Sequence, residues 1–333
     1  MQTRHEVRVG DARGLDLDSV DLVVTSPPYP MVEMWDESFC AQEPAIETAL
    51  SAGEGDRAFQ LMHDLLDDVW ARLADVVREG GIVAINVGDA TRTLDEFQQY
   101  PNAAEITSRL RNHGFQPLPD ILWRKPANSA AKFMGSGTLP TNAYPTLEHE
   151  HILLFRNGGP REFPPSDETR YESAYFWEER NEWFSDLWEI RGERQALPGD
   201  GRDRSAAFPF AVPYRLVSMF SVYGDRVLDP FWGTGTTALA ALVAGRDSIG
   251  YERDPALVET FAAAAADAPT LSRTVVEDRL EAHRAFAADA ETNHEAVHYE
   301  FGVKTKLERK IRLYEVTDVV REGQTWTASY APV

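Results

Sequence analysis

Residues 226–252 read RVLDPFWGTGTTALAALVAGRDSIGYE, and this stretch decides the fold class. An apolar strand over 226–228 enters the loop DPFWGTGTT at 229–237. A helix of small apolar residues follows, and a second strand over 248–251 ends at Glu252. Strand, glycine loop and helix N-terminus in that order form a turn that can cradle a nucleotide-like ligand. Gly233 and Gly235 let backbone approach such a ligand where a side chain would collide with it. No third glycine follows Gly235, so this is not a dinucleotide fingerprint, and the lysine of a P-loop is missing too. Glu252 stands where it can accept hydrogen bonds from ribose hydroxyls. Taken alone, the loop also fits a tight turn that only packs a helix on a sheet.

Outward from this unit the pattern repeats. Strands are expected over 7–9, ending in Gly10-Asp11, and over 21–25. The segment 57–78 carries Leu61, Leu65, Leu66, Val69, Trp70, Leu73, Val76 and Val77 at helical spacing. Gly80-Gly81 reads as its C-terminal stop, and 82–87 as a buried strand. A helix over 103–112, a strand ending in LWRKP at 122–126, a strand over 150–155 and a helix entered through Pro209 and Pro213 follow. Strands alternating with amphipathic helices predict an α/β fold with a doubly wound, mostly parallel sheet. Residues 157–204 are rich in Pro, Gly, Trp and charge without a period; Trp177, Trp183 and Trp188 in this stretch read as core. Beyond 285 the chain reads as an appended β-rich piece, with a hairpin suggested by Tyr299, Phe301 and Val303 and again by Ile311, Leu313 and Tyr314.

The segment TSPPY at 25–29 sits at a strand end, where open α/β sheets bind their ligands. Two prolines fix φ and leave carbonyls without helical or sheet partners. Ser26 and the Pro27 carbonyl can then accept from an amino group, and Tyr29 offers an aromatic face to a base. The plainer alternative is a proline-stiffened strand end with a surface tyrosine.

Composition bounds the rest. The 333 residues are 43% hydrophobic, enough for a globular core. No apolar run approaches the roughly 18 residues of a membrane span, and MQTRHEVRVG has no apolar signal core, so a soluble, cytoplasmic protein is expected. Cys40 is the only cysteine, which rules out intrachain disulfides and cysteine zinc sites; it reads as an inert, partly buried thiol. His149 and His151, two apart on a strand, read as facing opposite sides and so as a poor metal pair. No metal is expected.

Charge is the unusual feature. Lys plus Arg number 33 against 54 Asp plus Glu, a net charge of −21, and only Lys125, Lys132, Lys304, Lys306 and Lys310 are lysines. By itself this argues against a polyanionic partner, because DNA binding draws on cationic contacts to phosphate. The other reading is a halophilic surface, kept soluble by its negative shell and screened by salt.

TSPPY and DPFWGTGTT together resemble the catalytic and cofactor motifs of the amino methyltransferases of DNA. LWRKP at 122–126, HEHILLF at 149–155, DLWEI at 186–190 and AAFPFAVPYRL at 206–216 fit the same family. With TSPPY ahead of the glycine loop, the order resembles the permuted β subgroup, over about 7–265. The resemblance implies a circularly permuted, Rossmann-like fold with a seven-stranded sheet and S-adenosyl-L-methionine as cofactor. It places Ser26, Pro27, Pro28 and Tyr29 in catalysis, and Asp229, Phe231, Gly233, Gly235 and Thr236 around the methionine part of the cofactor. Glu252 falls on the ribose and Asp11 towards the adenine, although Asp11 also reads as a cap or turn former. Segment 206–216 helps to enclose the methionine end.

The implied division is a catalytic half over 1–126, target recognition over 127–205, a cofactor half over 206–270 and an extension over 271–333. Double-stranded DNA is the implied partner, with a cognate restriction endonuclease in the same system. Arg124, Lys125 and Lys132, concentrated at the loop 125–146, form the expected DNA face, and that loop resembles those of N4-cytosine enzymes recognising CTAG. Ser before the proline pair is typical of N4-cytosine enzymes, whereas Asp or Asn is usual for adenine N6, which stays open as the alternative. C5 methylation needs a cysteine nucleophile beside a proline, and Cys40 lies in SFCAQE. A non-catalytic DNA binder, an acidic DNA mimic and an RNA substrate are the other readings; two intact motifs speak against idleness.

Overall fold

The computed structural model describes residues 1–125, 134–192 and 208–333, and eleven strands join in one sheet. In chain order they are β1 (Gln2–Val9), β2 (Val20–Thr25), β3 (Val77–Val87), β4 (Phe115–Pro117), β5 (Ile121–Arg124), β6 (His149–Asn157), β7 (Leu187–Glu189), β8 (Arg226–Asp229), β9 (Asp247–Glu252), β10 (Tyr314–Glu322) and β11 (Thr325–Pro332). They lie in the order β7-β5-β6-β3-β2-β8-β9-β1-β11-β10, with β4 on β6. The five central strands, β3 to β1, are parallel. β6 runs against both β3 and β5. The seven expected strands are thus the middle of a wider sheet, extended by β7 on one side and the β10–β11 hairpin on the other.

Continuous apolar runs suit strands covered on both faces. In β2, Val23 joins a core built from helix α1 (Gly55–Val76) and helix α2 (Asn102–Asn112), with Leu66, Trp70, Leu73, Ile106 and Leu110 buried. Its neighbours Leu22 and Val24 point the other way, into Val212, Leu216, Ala240 and Ala241 of helices α3 (Ala211–Phe220) and α4 (Thr236–Val243). This is the period of two that a strand requires. From β2 the chain crosses by α1 to β3; from β8 it crosses by α4 to β9, on the opposite side. The connections that leave the carboxyl ends of β2 and β8 therefore diverge to opposite faces at this switch point, where α/β sheets open a crevice.

Four expectations change. Helix α1 ends at Val76, and Gly80-Gly81 lies inside β3 rather than capping the helix. Gly80 has φ +77°, and a Cβ there would lie 2.7 Å from the Arg161 backbone. The β2–β3 register slips beside it, so the pair serves an irregularity in the strand. The alanine-rich helix α5 (Pro255–Asp289) runs four residues past 285. The C-terminal hairpin is β10–β11, not 299–314; Tyr299, Phe301, Ile311 and Leu313 instead pack on Phe176, Val276 and Leu280. Trp183 and Trp188 are buried, as core residues should be, but Trp177 is exposed.

Trp326 of β11 packs at 4.9 Å from Phe261 of α5 and is buried. Trp326→Ala should lower the unfolding free energy by about 3–5 kcal/mol, the usual loss for a buried tryptophan, measured as a shift of the denaturant midpoint. Among the described residues no helix is long and apolar enough to cross a membrane.

Candidate active site

Parallel pairing of Val227 with Leu22 and of Leu228 with Val23 brings the ends of β8 and β2 side by side. The two sequence motifs are joined there directly: Thr25 Oγ1 donates to Asp229 Oδ1 at 2.7 Å, across 204 residues of chain. The Phe231 amide donates to the same oxygen at 3.0 Å, and Thr237 Oγ1 reaches the Val24 carbonyl at 3.2 Å. Asp229 is buried, and burial pushes its carboxyl up to about 6; the nearby Glu252 adds to the rise, while the Thr25, Phe231 and Thr237 contacts oppose it.

That shift has a sign. The folded protein holds this proton more tightly than the unfolded chain, so the contribution favours folding below about pH 4 and is lost as pH rises through about 6. Thermal unfolding of the ligand-free protein should show this loss between pH 4 and pH 8, and Asp229→Asn should flatten the profile.

The glycine loop divides its labour. Gly233 and Gly235 have φ +58° and +85°. A Cβ on Gly235 would lie 2.5 Å from the Phe261 ring and 2.9 Å from Trp232, so packing demands glycine there. Around Gly233 the nearest such atom is 3.9 Å away, and its need is for the left-handed backbone. Thr236 opens helix α4 directly after Gly235. Gly250 on β9 went unnoticed in the sequence; a Cβ there would fall 2.0 Å from the Trp232 ring, so the strand supports the loop from below.

Glu252 ends β9 with both carboxylate oxygens engaged by backbone: Gly233 N at 2.8 Å and Asp254 N at 2.9 Å. Burial raises its carboxyl above the usual range. Asp11 accepts from Arg13 N at 2.9 Å as the cap of a short 3-10 turn. Its carboxylate also meets the Arg13 guanidinium at 2.7 Å, which holds it below the usual range.

Of the expected cofactor residues, Asp11, Phe231, Gly233 and Glu252 line one cavity of about 1060 Å3, whereas Asp229, Gly235 and Thr236 are not among its lining residues. Gly10, Asp11, Glu252 and Gly233 form its polar side, and Leu65, Leu66, Val69, Phe231 and Phe39 its apolar side; Ser26 and Pro28 reach it from the end of β2. Of the described residues, none between 208 and 216 lines this cavity. Ala206 and Ala207 lie outside the described residues.

The four residues 26–29 do not act alike. Ser26 and Pro28 line the cavity, while Pro27 and Tyr29 are buried. The Tyr29 ring packs against Gly88, where a Cβ would stand 3.2 Å from it, and so does not present an open face to a base. Its hydroxyl is fully engaged: it donates to Glu150 Oε2 at 3.0 Å and contacts Ser26 Oγ at 3.0 Å and Asn86 Nδ2 at 2.8 Å. Burial, with the Glu150 charge adding, pushes the phenol well above its ordinary value. Asn86 Nδ2 also donates to Glu150 Oε2 at 2.7 Å, and Lys125 Nζ donates to Oε1. The chain then turns back through Met31, which holds φ +66° with its side chain buried, and Val32 N returns to Tyr29 O at 3.2 Å.

Asn86 and Glu150 were missed by sequence reasoning. The available signal was a polar residue inside each of two apolar strands, INV at 85–87 and EHILLF at 150–155. The cations expected to face DNA are differently placed. Lys125 is engaged by Glu150 and lies 4.5 Å from the Trp123 ring. Arg124 lies between Glu189 at 3.2 Å and Glu148 at 3.5 Å. Lys132 lies outside the described residues. The charges of Arg124 and Lys125 are thus matched by Glu148 just ahead of β6, Glu150 on β6 and Glu189 on β7, which a count along the chain does not see.

His149 and His151 also need correction, since residues two apart on a strand share a face. Their rings are 5.0 Å apart, edge to face. His151 turns to Asp120 at 3.4 Å. Among the described residues no group of three or more His, Cys, Asp or Glu side chains could hold a metal ion. Cys40 is partly buried, and burial raises its thiol.

Residues 20–263 match the DNA methylase family of N6/N4 type. The chain is 46% identical to the type II methyltransferase M.MthZI of Methanothermobacter thermautotrophicus, over 94% of this chain and 91% of that protein. It is 48% identical to the type II methyltransferase M.MjaI of Methanocaldococcus jannaschii, over 77% and 89%. Among solved structures, a Thermus thermophilus protein assigned as a DNA modification methylase, in complex with S-adenosyl-L-methionine, superposes with a TM-score of 0.61. It is 32% identical and covers 80% of this chain and 95% of its own.

Proposed function

Because the chain belongs to the N6/N4 family of DNA methylases, we propose that it transfers a methyl group from S-adenosyl-L-methionine to N4 of cytosine in double-stranded DNA. The observation that carries this reading is Ser26. It heads the Pro-Pro-Tyr turn and lines the same cavity as Glu252 and the glycine loop.

The cavity suits the cofactor. Glu252 keeps a lone pair on each oxygen for ribose hydroxyls beyond the two amides it already holds. Asp11 and Gly10 flank the adenine side, and Phe231 and the Asp229 turn flank the methionine side. When bound, S-adenosylmethionine supplies an electrophilic sulfonium methyl. The residues do the rest by position. A cytosine amino group lies within the base stack, so the base has to be flipped out, at about a few kcal/mol of unstacking. Ser26 Oγ and the Pro27 carbonyl accept from N4, localise its lone pair and stabilise charge developing on nitrogen. Holding that nitrogen beside the methyl replaces a bimolecular encounter; direct attack would form the N–CH3 bond as the methyl's bond to sulfur breaks, and the methylated nitrogen would release one proton to water.

Target recognition is assigned to 127–205, with CTAG as the target through the loop 125–146. A cognate restriction endonuclease and a cytoplasmic setting complete the reading. The deciding experiment incubates the protein with labelled cofactor and unmethylated genomic DNA, then identifies the modified nucleoside by mass spectrometry. N4-methylcytosine is expected; N6-methyladenine would overturn the assignment of Ser26 but not the family. The charge of −21 adds an expectation: activity should peak in molar KCl, where self-repulsion is screened. Full activity and stability at low salt would remove the salt-adapted reading.

A further inference from the structure

We propose that Glu150 is a positioning residue that sets the direction of hydrogen bonding through Tyr29 and so keeps Ser26 Oγ an acceptor towards the substrate amino group. This role rests on the reaction proposed above and follows from a count of protons. An ionised carboxylate only accepts, and a phenol has one proton and two lone pairs. Glu150 Oε2 lies 3.0 Å from Tyr29 Oη, so the single phenolic proton points to Glu150. Asn86 Nδ2, itself held by Glu150 at 2.7 Å, donates to Tyr29 Oη at 2.8 Å and occupies one lone pair. The second lone pair faces Ser26 Oγ at 3.0 Å. Tyr29 has no proton left to give, so Ser26 must donate its own.

A serine hydroxyl whose proton is committed inward presents only lone pairs outward. An amino group entering the cavity therefore meets an acceptor, which is what localising its lone pair requires. Without a fixed direction the hydroxyl could turn its proton outward and meet the amino nitrogen as a donor, competing for the electrons that form the new bond. Lys125 completes the arrangement by occupying Oε1 of Glu150. Both carboxylate oxygens thus carry donors, and the side chain is buried on β6 between strands β3 and β5. Glutamine at 150 has nearly the same shape but offers an NH2 group, and a donor at this position permits the chain of bonds to run the other way.

The test is a double-mutant cycle on the full-length protein, with methyl transfer to unmethylated DNA as the rate and cofactor Kd measured separately. Glu150→Gln should lower kcat about tenfold or more, the range of one charge-assisted bond, with cofactor Kd unchanged within about twofold. Tyr29→Phe should do the same, and adding Glu150→Gln to Tyr29→Phe should cost nothing further, because the relay is already cut. A full additional loss in the double variant would make Glu150 an independent structural element and overturn the proposal. Should Glu150→Gln fail to fold, Tyr29→Phe still decides, since it keeps the ring and its packing: turnover equal to wild type overturns the relay. Wild-type protein that methylates no DNA would overturn the parent reading and the relay with it; active wild type with an unimpaired Tyr29→Phe overturns the relay alone.

Discussion

Ser26→Ala should lower methyl transfer by about 10²–10³-fold, the range for removing one preorganised group that faces developing charge, while cofactor binding stays within about twofold. The expectation follows from the position of Ser26. It lies one residue beyond Thr25, whose hydroxyl is committed to Asp229, and it lines the cavity that Glu252 also lines. The amino nitrogen of a base is a weak nucleophile because its lone pair is delocalised into the ring. An acceptor on the N–H shifts that electron density back to nitrogen, and shifts it most when positive charge is building there. The loss should therefore fall on kcat rather than on binding. Steady-state and single-turnover rates, with cofactor titrated calorimetrically, separate the two. An equal loss of cofactor affinity would place Ser26 in the cofactor pocket and not at the reacting nitrogen.

Glu252→Ala should do the reverse, weakening cofactor binding by about 10- to 150-fold, the equivalent of about 1.5–3 kcal/mol for a hydrogen bond to a charged group. Two effects combine. The substitution removes the acceptor expected on the ribose, and it releases the amides of Gly233 and Asp254, which now hold the loop at 2.8 and 2.9 Å from the carboxylate. At saturating cofactor, turnover should recover to within a few-fold of wild type, because these two bonds tie Glu252 to its own loop and not to the Ser26 turn. Loss of kcat at saturation would mean that the glycine loop positions the methyl group through Glu252.

The sheet was legible because its strands are apolar on both faces and therefore conspicuous: LVV at 22–24 and IVAI at 82–85 admit little else. The glycine loop was legible because a left-handed backbone at Gly233 and a tight contact at Gly235 both exclude side chains. What could not be read were properties that belong to pairs of strands. Glu150 looks like one acid among 54 acidic residues until β6 lies against β3 and sets it beside Asn86 and Tyr29. Lys125 and Arg124 looked like free cations until Glu150, Glu148 and Glu189 were placed on them. Gly80-Gly81 failed for a local reason, because glycine after a helix and glycine at a strand irregularity are written the same way.

Strand β1 leads the chain, yet its two neighbours in the sheet are β9 and β11, which are made roughly 240 and 315 residues later. At about 5–20 residues per second, translation leaves this strand without a partner for roughly 12–50 s. During that time Val7 and the backbone groups on both its edges are open to any other extended chain nearby. A ribosome-bound nascent chain of this protein should accordingly be a client for holding chaperones until residue 247 has emerged, and messages that stall before that point should yield aggregated rather than partly folded product.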